Sequence, residues 1–163
     1  MTTLTCTTGT IKHADPAILQ RIKDGFDTIG LFENMLPLPP RPAFKSRDEA
    51  DEWLLDQWNT LHDVRATARG QKVDFAGSNE LTIDICTIPV FPDPFFDHLV
   101  SLGCDVRVET STDAWGCEMF HDIYENGKYT NLLRPEPGEL PLGRMEGVEP
   151  IAADVPEHAS GSP

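Results

Sequence analysis

Residues 81–108 read LTIDICTIPVFPDPFFDHLVSLGCDVRV. The first eight alternate and are rich in β-branched side chains, which is typical of a strand. Asp93-Pro94 then predicts a helix start, with the aspartate as N-cap and the proline at the first helical position. The apolar stripe of this helix stops at Gly103, a residue that commonly terminates helices. The alternating DVRV segment predicts a second strand, so this stretch predicts a β-α-β unit.

The N-terminal part of the chain predicts a similar beginning. Residues 3–11, TLTCTTGTI, alternate and are rich in threonine, which favours a strand. Asp15-Pro16 repeats the signal of a capped helix start, and an amphipathic helix follows it. The segment 29–35, IGLFENM, predicts a short strand.

An additional helix is predicted between the two units. Ser46 and Glu49 have the spacing of a capping box, and apolar residues recur at helical intervals to about Asp63. Before it, the proline-rich run at 36–42 predicts a rigid extended connector, with a proline-rich docking motif as the alternative.

The remaining strands complete the predicted sheet. A strand at 72–76 precedes the unit quoted first, and a strand at 115–124 follows it. Asn126-Gly127 predicts a tight hairpin turn into a last strand at 129–133. We therefore expect an α+β fold: a ferredoxin-like antiparallel sheet with helices on one face, a helical insert and a C-terminal hairpin extension.

The chain of 163 residues predicts one domain and a tail. From residue 134 it is rich in Pro, Gly and Glu without periodicity, so we expect a ferredoxin-like domain at 1–133 and a disordered acidic tail at 134–163. The tail holds six acids and two arginines, a net −4, which leaves −10 of the total −14 in the domain.

This acidity excludes ordinary nucleic-acid binding and argues against docking on anionic lipid, because both need Lys and Arg. The sequence has no apolar run long enough to span a membrane, and its first residues do not resemble a secretory signal. We therefore expect a cytoplasmic protein whose four cysteines are reduced and mostly buried thiols. These are Cys6, Cys86, Cys104 and Cys117.

The chain resembles a phage- and plasmid-encoded family of ferredoxin-like domains named after the Api-ninety-two protein. The resemblance spans about residues 3–130 and rests on Asp15-Pro16 with its helix, Leu36 to Pro39, Trp58-Asn59-Thr60, Thr87 to Pro94 and Val106 to Gly127. Asn59 stands where the family has glycine, and His62 stands where it has a second tryptophan. The resemblance implies this fold and a phage or mobile-element origin, and it implies no established activity.

The sequence contains no phosphate-binding, dinucleotide-binding, nucleophile-elbow or zinc-protease motif. His62, His98 and His121 have no ligand spacing with one another or with the cysteines, so we expect no metal and no cofactor. Acidic pairs are plentiful without a recognisable cleft, and we expect no enzyme. A pocket near Trp58 and His62 stays open as an alternative to simple packing of that region.

The excess of carboxylates supports one hypothesis about function. A small rigid body can present carboxylates much as DNA presents phosphates, and so be steered to cationic grooves. We expect a non-enzymatic inhibitor, similar to anti-CRISPR or DNA-mimic proteins, that binds a host nucleic-acid-handling defence complex in the host cytoplasm. The predicted partner-binding residues lie on the insert helix and the C-terminal hairpin: Asp48, Asp51, Glu52, Asp56, Glu118, Asp122 and Glu125.

Two other hypotheses stay open at this point. Aromatic residues of the hairpin could form the interface of a homodimer in a self-associating structural or regulatory module. These are Trp115, Phe120, Tyr124 and Tyr129. Alternatively the protein binds a small molecule such as a nucleotide signal, for which Arg65 and Arg69 with Lys72 are the sole candidate phosphate ligands.

Overall fold

The stretch at 81–108 folds into a strand, a helix and a strand, as its sequence predicts. The helix ends in a Schellman motif, in which the Cys104 amide donates to the Leu99 carbonyl and the Gly103 amide donates to the Val100 carbonyl, both at 3.0 Å. Gly103 has φ +88°, a conformation that glycine adopts at little cost, and the predicted helix end is confirmed.

The start of this helix differs from the prediction. Pro92 occupies the N-cap position and Asp93 is the first helical residue. The Asp93 carboxylate does not cap the helix; it accepts a hydrogen bond of 2.9 Å from the side-chain amide of Asn59. The hydrogen bond with Asn59 therefore takes the place of the predicted capping hydrogen bond within the helix.

The computed structural model describes residues 3–114 and 117–133. These residues form an α+β structure with a six-stranded antiparallel sheet and four helices. In chain order the elements are β1 (Leu4–Lys12), α1 (Pro16–Asp27), α2 (Leu31–Met35), α3 (Arg47–Trp58), β2 (Lys72–Gly77), β3 (Glu80–Thr87), α4 (Asp93–Ser101), β4 (Asp105–Ala114), β5 (Cys117–Glu125) and β6 (Lys128–Leu133). The predicted tail at 134–163 lies outside the described residues. None of the described helices is long and apolar enough to cross a lipid bilayer.

The strands are ordered β2-β3-β1-β4-β5-β6, and every neighbouring pair is antiparallel. Successive side chains point to opposite faces. The core face carries Ile11, Ile85 and Val106, which are fully buried together with apolar residues of the helices. The open face carries residues such as Asp84 and Arg107, which are exposed. The last two strands extend the sheet beyond β4, as the hairpin prediction requires.

The predicted strand at 29–35 is wrong, because this segment contains the short helix α2. Asp63 explains the difference. Its carboxylate accepts hydrogen bonds from the backbone amides of Phe32 at 2.7 Å and Glu33 at 2.9 Å. These amides at a helix start have no partner inside the helix. A carboxylate that is distant in sequence therefore stabilises the helix, and no local pattern reveals this.

The start of α3 is predicted correctly, but its end is not. The Ser46 hydroxyl accepts from the Glu49 amide at 3.2 Å, as expected of a capping box. The helix ends at Trp58, five residues before Asp63, because Asn59 adopts the left-handed conformation with φ +57°. The Asn59 amide group then donates to the Phe91 carbonyl and to Asp93, both at 2.9 Å, which joins this helix end to the start of α4.

The hairpin turn between β5 and β6 is confirmed. Asn126 and Gly127 have φ values of +48° and +86°, as a tight turn of this kind needs. The side-chain oxygen of Asn126 also accepts from the Val106 amide at 2.7 Å. The turn is therefore attached to the beginning of β4.

The expectation of reduced cysteines is corrected for one pair. Cys6 on β1 and Cys86 on β3 are directly opposite in register, with Cα atoms 4.1 Å apart, and form a disulfide. Residues 80 positions apart are brought together by the strand order, which the cysteine spacing does not show. Cys104 is a free, buried thiol, and burial raises its pKa to about 11. The Cys117 side chain lies outside the described residues.

Candidate functional site

A hollow of about 360 Å³ lies where the loop before α4 meets the core face of β4, β5 and β6. Its size falls within the range of roughly 300–1,000 Å³ that is common for ligand pockets. We call it the acidic hollow. Its described lining residues are Val90, Phe91, Asp93, Thr110, Thr112, Phe120, Asp122 and Tyr129.

The floor of the acidic hollow results from a change of side-chain type along β4. Val106 and Val108 occupy the core face at the beginning of the strand, and Thr110 and Thr112 occupy the same face further along. All four are at most 9% exposed. One end of the core face is therefore apolar, and the end beside the hollow is polar although it is buried.

Strand β1 shows the same change, from Ile11 to the fully buried Thr7 and Thr5. The Thr5 hydroxyl shares a hydrogen bond of 2.8 Å with the Thr112 hydroxyl and also reaches the carbonyl of Pro89 at 3.1 Å. These polar groups satisfy one another, so Thr5 and Thr112 have an evident structural role.

Two other threonine hydroxyls on the core face have no such partner within the described part of the chain. Thr7 and Thr110 are opposite each other in the β1–β4 register and are 0% and 4% exposed. Within the described residues, neither hydroxyl oxygen has a hydrogen-bond partner. A buried polar group without a partner costs roughly 1–3 kcal/mol. Thr110 faces the hollow, whereas Thr7 is not among its lining residues.

Two carboxylates border the floor. Asp122 is opposite Thr110 in the β4–β5 register and is 8% exposed. Asp93 lies at the start of α4 and accepts from the Asn59 amide group. Burial raises the pKa of Asp93, and the nearby Asp97 carboxylate raises this pKa further, while the Asn59 hydrogen bond opposes both effects.

Aromatic rings surround these polar groups. Phe91 lies 6.0 Å from Tyr129 and 5.3 Å from Tyr124, measured between ring centroids. The Tyr124 hydroxyl donates to Asp97 at 2.6 Å, and burial together with this carboxylate raises the Tyr124 pKa. Phe120 and Tyr129 are 38% and 42% exposed, so the rim is accessible. The arrangement combines anionic and hydroxyl groups at the floor with apolar walls.

The predicted acidic site residues of α3 lie on the outer surface of the molecule. Asp48, Glu52 and Asp56 are exposed, and Asp51 is within 3.7 Å of the Arg47 guanidinium. These four carboxylates share one helix, as the sequence predicts.

The predicted acidic residues of the hairpin do not share one surface. Glu118 is on the open face, where it accepts from the Ser111 hydroxyl at 2.8 Å and lies 3.2 Å from His121. Asp122 is on the core face in the acidic hollow, and Glu125 is exposed beside the hairpin turn. Glu118 and Asp122 are four residues apart, so regular alternation alone would place them on one face. The register shift in the β4–β5 pairing between Thr112 and Asp113 places them on opposite faces instead.

The other predicted site residues have structural surroundings. Trp58 is 5% exposed, and its indole N–H donates to the Leu36 carbonyl at 2.9 Å. His62 is exposed, as are Arg65 and Arg69. Within the described ranges, no group of three His, Cys, Asp or Glu side chains is arranged to hold a metal ion.

Of the aromatic residues predicted to mediate self-association, Tyr124 is fully buried and is not available for an interface. Phe120 and Tyr129 are partly exposed, but they line the acidic hollow. Trp115 lies outside the described residues. Self-association stays a prediction, which light scattering of the intact chain tests.

The sequence predicts Asp122 as a partner contact and Phe120 and Tyr129 as interface aromatics, but it does not bring these residues together with Asp93 and the threonines. The sequence predicts Asp93 as a helix cap, and the threonine-rich alternation at 3–11 predicts only a strand. The change from valine to threonine on one face of β4 was the available signal. No protein-family model, curated protein or solved structure that we compared matches this chain.

Proposed function

We propose that this protein is a non-catalytic binding protein and that the acidic hollow receives a small ligand. The observation that carries the proposal is the Thr110 hydroxyl, which is buried, faces the hollow and has no partner within the described residues. Folding leaves this group desolvated, and a polar ligand would supply the missing hydrogen bond.

The surroundings of Thr110 support the same proposal. Aromatic walls around a few convergent polar groups are typical of small-molecule sites, since the walls exclude water and the polar groups fix orientation. The described lining consists of carboxylates, hydroxyls, aromatic rings and one valine, without a thiol, imidazole or amine. A hydroxyl is a weak nucleophile unless a base such as an imidazole or an amine activates it, so this composition favours binding over catalysis by a threonine hydroxyl.

The test compares Thr110→Val with Thr7→Val. Valine keeps the shape of threonine and removes the buried hydroxyl that lacks a partner. The free energy of unfolding of each variant should therefore be higher than that of the unaltered protein by roughly 1 kcal/mol. Only Thr110→Val should weaken ligand binding, because Thr7 lies outside the hollow. Urea denaturation measures the stability, and amide NMR shifts during titration with a mixed set of small amines, alcohols and acids measure binding.

Thr7→Val is therefore the matched control for a general effect of removing a buried hydroxyl. Shifts that cluster at β4, β5 and β6 and weaken only in Thr110→Val are the expected result. An absence of shifts around the hollow with the whole compound set would overturn the proposed function.

We also propose that the fold is ferredoxin-like and that the chain has a phage or mobile-element origin. The first four strands support the fold. Helical segments connect β1 to β2 and α4 connects β3 to β4, and the two strand pairs alternate in the sheet order β2-β3-β1-β4 with all neighbours antiparallel. The origin rests on the sequence resemblance alone. A solved structure with a different strand order would contradict the proposed fold.

A second candidate function rests on charge. With 27 acids and 13 bases, the chain would be attracted to a cationic groove, and Asp48, Glu52 and Asp56 on α3 are exposed. The proposed partner is a host nucleic-acid-binding complex, encountered in the host cytoplasm and inhibited there by occupation of its groove.

The triple variant D48K/E52K/D56K should lose capture of a nucleic-acid-binding protein from host lysate at low salt. Surface substitutions of this kind usually cost about 0.5 kcal/mol or less each, so its fold should persist. The triple variant D84K/E109K/D113K on the open face is the control for total charge. Equal capture by the α3 variant and the unaltered protein would exclude α3 as the contact surface.

A further inference from the structure

Among the described residues that line the acidic hollow, the formal charges have one sign. Asp93 and Asp122 line it, and Asp97 stands behind Asp93 on the next turn of α4. Among the described lining residues there is no Lys, Arg or His. A desolvated carboxylate is costly unless a donor or an opposite charge stabilises it. The donor to Asp93 from Asn59 is a neutral amide, which leaves the negative charge in place.

The walls of the hollow favour the same type of ligand. Phe91, Phe120 and Tyr129 offer aromatic surface within one small volume. The face of an aromatic ring attracts a cation, most strongly when both are removed from water. The rings also provide apolar contact area, which a small inorganic ion cannot use.

The hydroxyl of Thr110 adds a directional element. It has two acceptor lone pairs, and it is 4% exposed beside Asp122 in the β4–β5 register. A protonated amine carries several N–H donors and no acceptor. Such a group can donate to the hydroxyl and to a carboxylate together, whereas an anionic ligand would be repelled by the carboxylates.

We propose that the ligand of the acidic hollow is an organic ammonium compound with an aromatic or branched aliphatic body. This inference rests on the proposed function and makes it specific. The ammonium group would lie at the floor between Thr110, Asp93 and Asp122, and the apolar body would contact the rings at the rim. Neutral and anionic compounds of the same shape would bind less well.

The experiment uses three probes of nearly equal size with the full chain: benzylamine, benzyl alcohol and benzoate. Amide NMR titrations into the millimolar range report both affinity and location. We expect benzylamine to perturb the hollow with an affinity about tenfold above that of benzyl alcohol, corresponding to about 1.4 kcal/mol, and benzoate to leave it unperturbed.

Variants of equal charge locate the effect. Asp93→Asn should weaken benzylamine binding about tenfold and leave benzyl alcohol binding unchanged. Asp84→Asn removes the same charge from the exposed open face and should change neither. If Asp93→Asn does not fold, Asp122→Asn provides the same comparison.

The outcomes separate the two proposals. Equal binding of benzylamine and benzyl alcohol, weakened for both by Thr110→Val, would overturn the ammonium inference and leave the proposed function intact. Displacement of benzylamine by Ca²⁺ at constant ionic strength would also overturn it, in favour of a metal site. If benzylamine leaves the hollow unperturbed, the inference fails. If the wider compound set also gives no shifts there, the proposed function fails with it.

Discussion

At the scale of single residues, Asp93 has two roles that its sequence position does not separate. It is the first residue of α4, where a carboxylate is favoured by the helix dipole. It also borders the acidic hollow, where burial raises its pKa. A folded-state pKa above the unfolded value means that the native protein holds the proton more tightly than the unfolded chain. The contribution of Asp93 to the stability of the folded protein is therefore complete at low pH, and it is lost as the pH rises through the raised pKa.

Asp93→Asn should therefore have a pH-dependent effect on stability in the absence of ligand. The melting temperature of the variant should exceed that of the unaltered protein near pH 7, and the difference should shrink as the pH falls to about 3. Thermal unfolding by circular dichroism at several pH values measures this. Asp84→Asn, in an exposed position, is the control, and a difference independent of pH would contradict the account of Asp93.

At the scale of elements, the sheet depends on the close approach of β1 and β4. Gly9 lies in the middle of β1, opposite Val108. A Cβ atom at Gly9 would lie 2.2 Å from the Arg107 carbonyl oxygen and 2.7 Å from the Val108 Cα. Both contacts are with backbone, which cannot rotate away, so the two strands would have to separate.

Gly9→Ala should lower the free energy of unfolding by about 2 kcal/mol or more, because overpacking of this kind displaces backbone. Gly77→Ala, in the edge strand β2, is the matched control, since a Cβ atom there meets nothing within 4 Å. It should change stability by about 0.5 kcal/mol or less. Urea denaturation of both variants tests the difference, and equal stabilities would show that β1 and β4 are not in such close contact.

At the scale of the whole molecule, the net charge of −14 acts on stability as well as on partners. Like charges on a small body repel one another and favour the expanded chain. Salt screens this repulsion, with a Debye length of about 10 Å at 0.1 M.

The melting temperature of the intact protein should therefore rise when sodium chloride is increased from about 0.01 M to about 0.5 M at neutral pH. Differential scanning calorimetry measures this, and sodium sulfate at equal ionic strength separates screening from salt-specific effects. A melting temperature that falls with added salt would show that attractive ion pairs outweigh the general repulsion.

Most of the local structure can be predicted from short segments of the chain. The helix starts at Pro16 and Arg47, the helix end at Gly103 and the turn at Asn126 are encoded by residues within a few positions of one another. Such signals are local hydrogen bonds and φ preferences, so they can be predicted without the fold. The strand periodicity and the acidic character are likewise properties of the chain itself.

The features that join distant segments depend on the folded arrangement of the whole chain. The Asp63 carboxylate stabilises α2 in the segment 29–35, for which the sequence predicts a strand. The strand order places Cys6 opposite Cys86. The acidic hollow depends in the same way on Asp93, Thr110 and Asp122, which come from three elements. The strand order and the register of the sheet bring these three residues together. Both depend on how much apolar surface the whole core buries, and no short stretch of sequence contains that information.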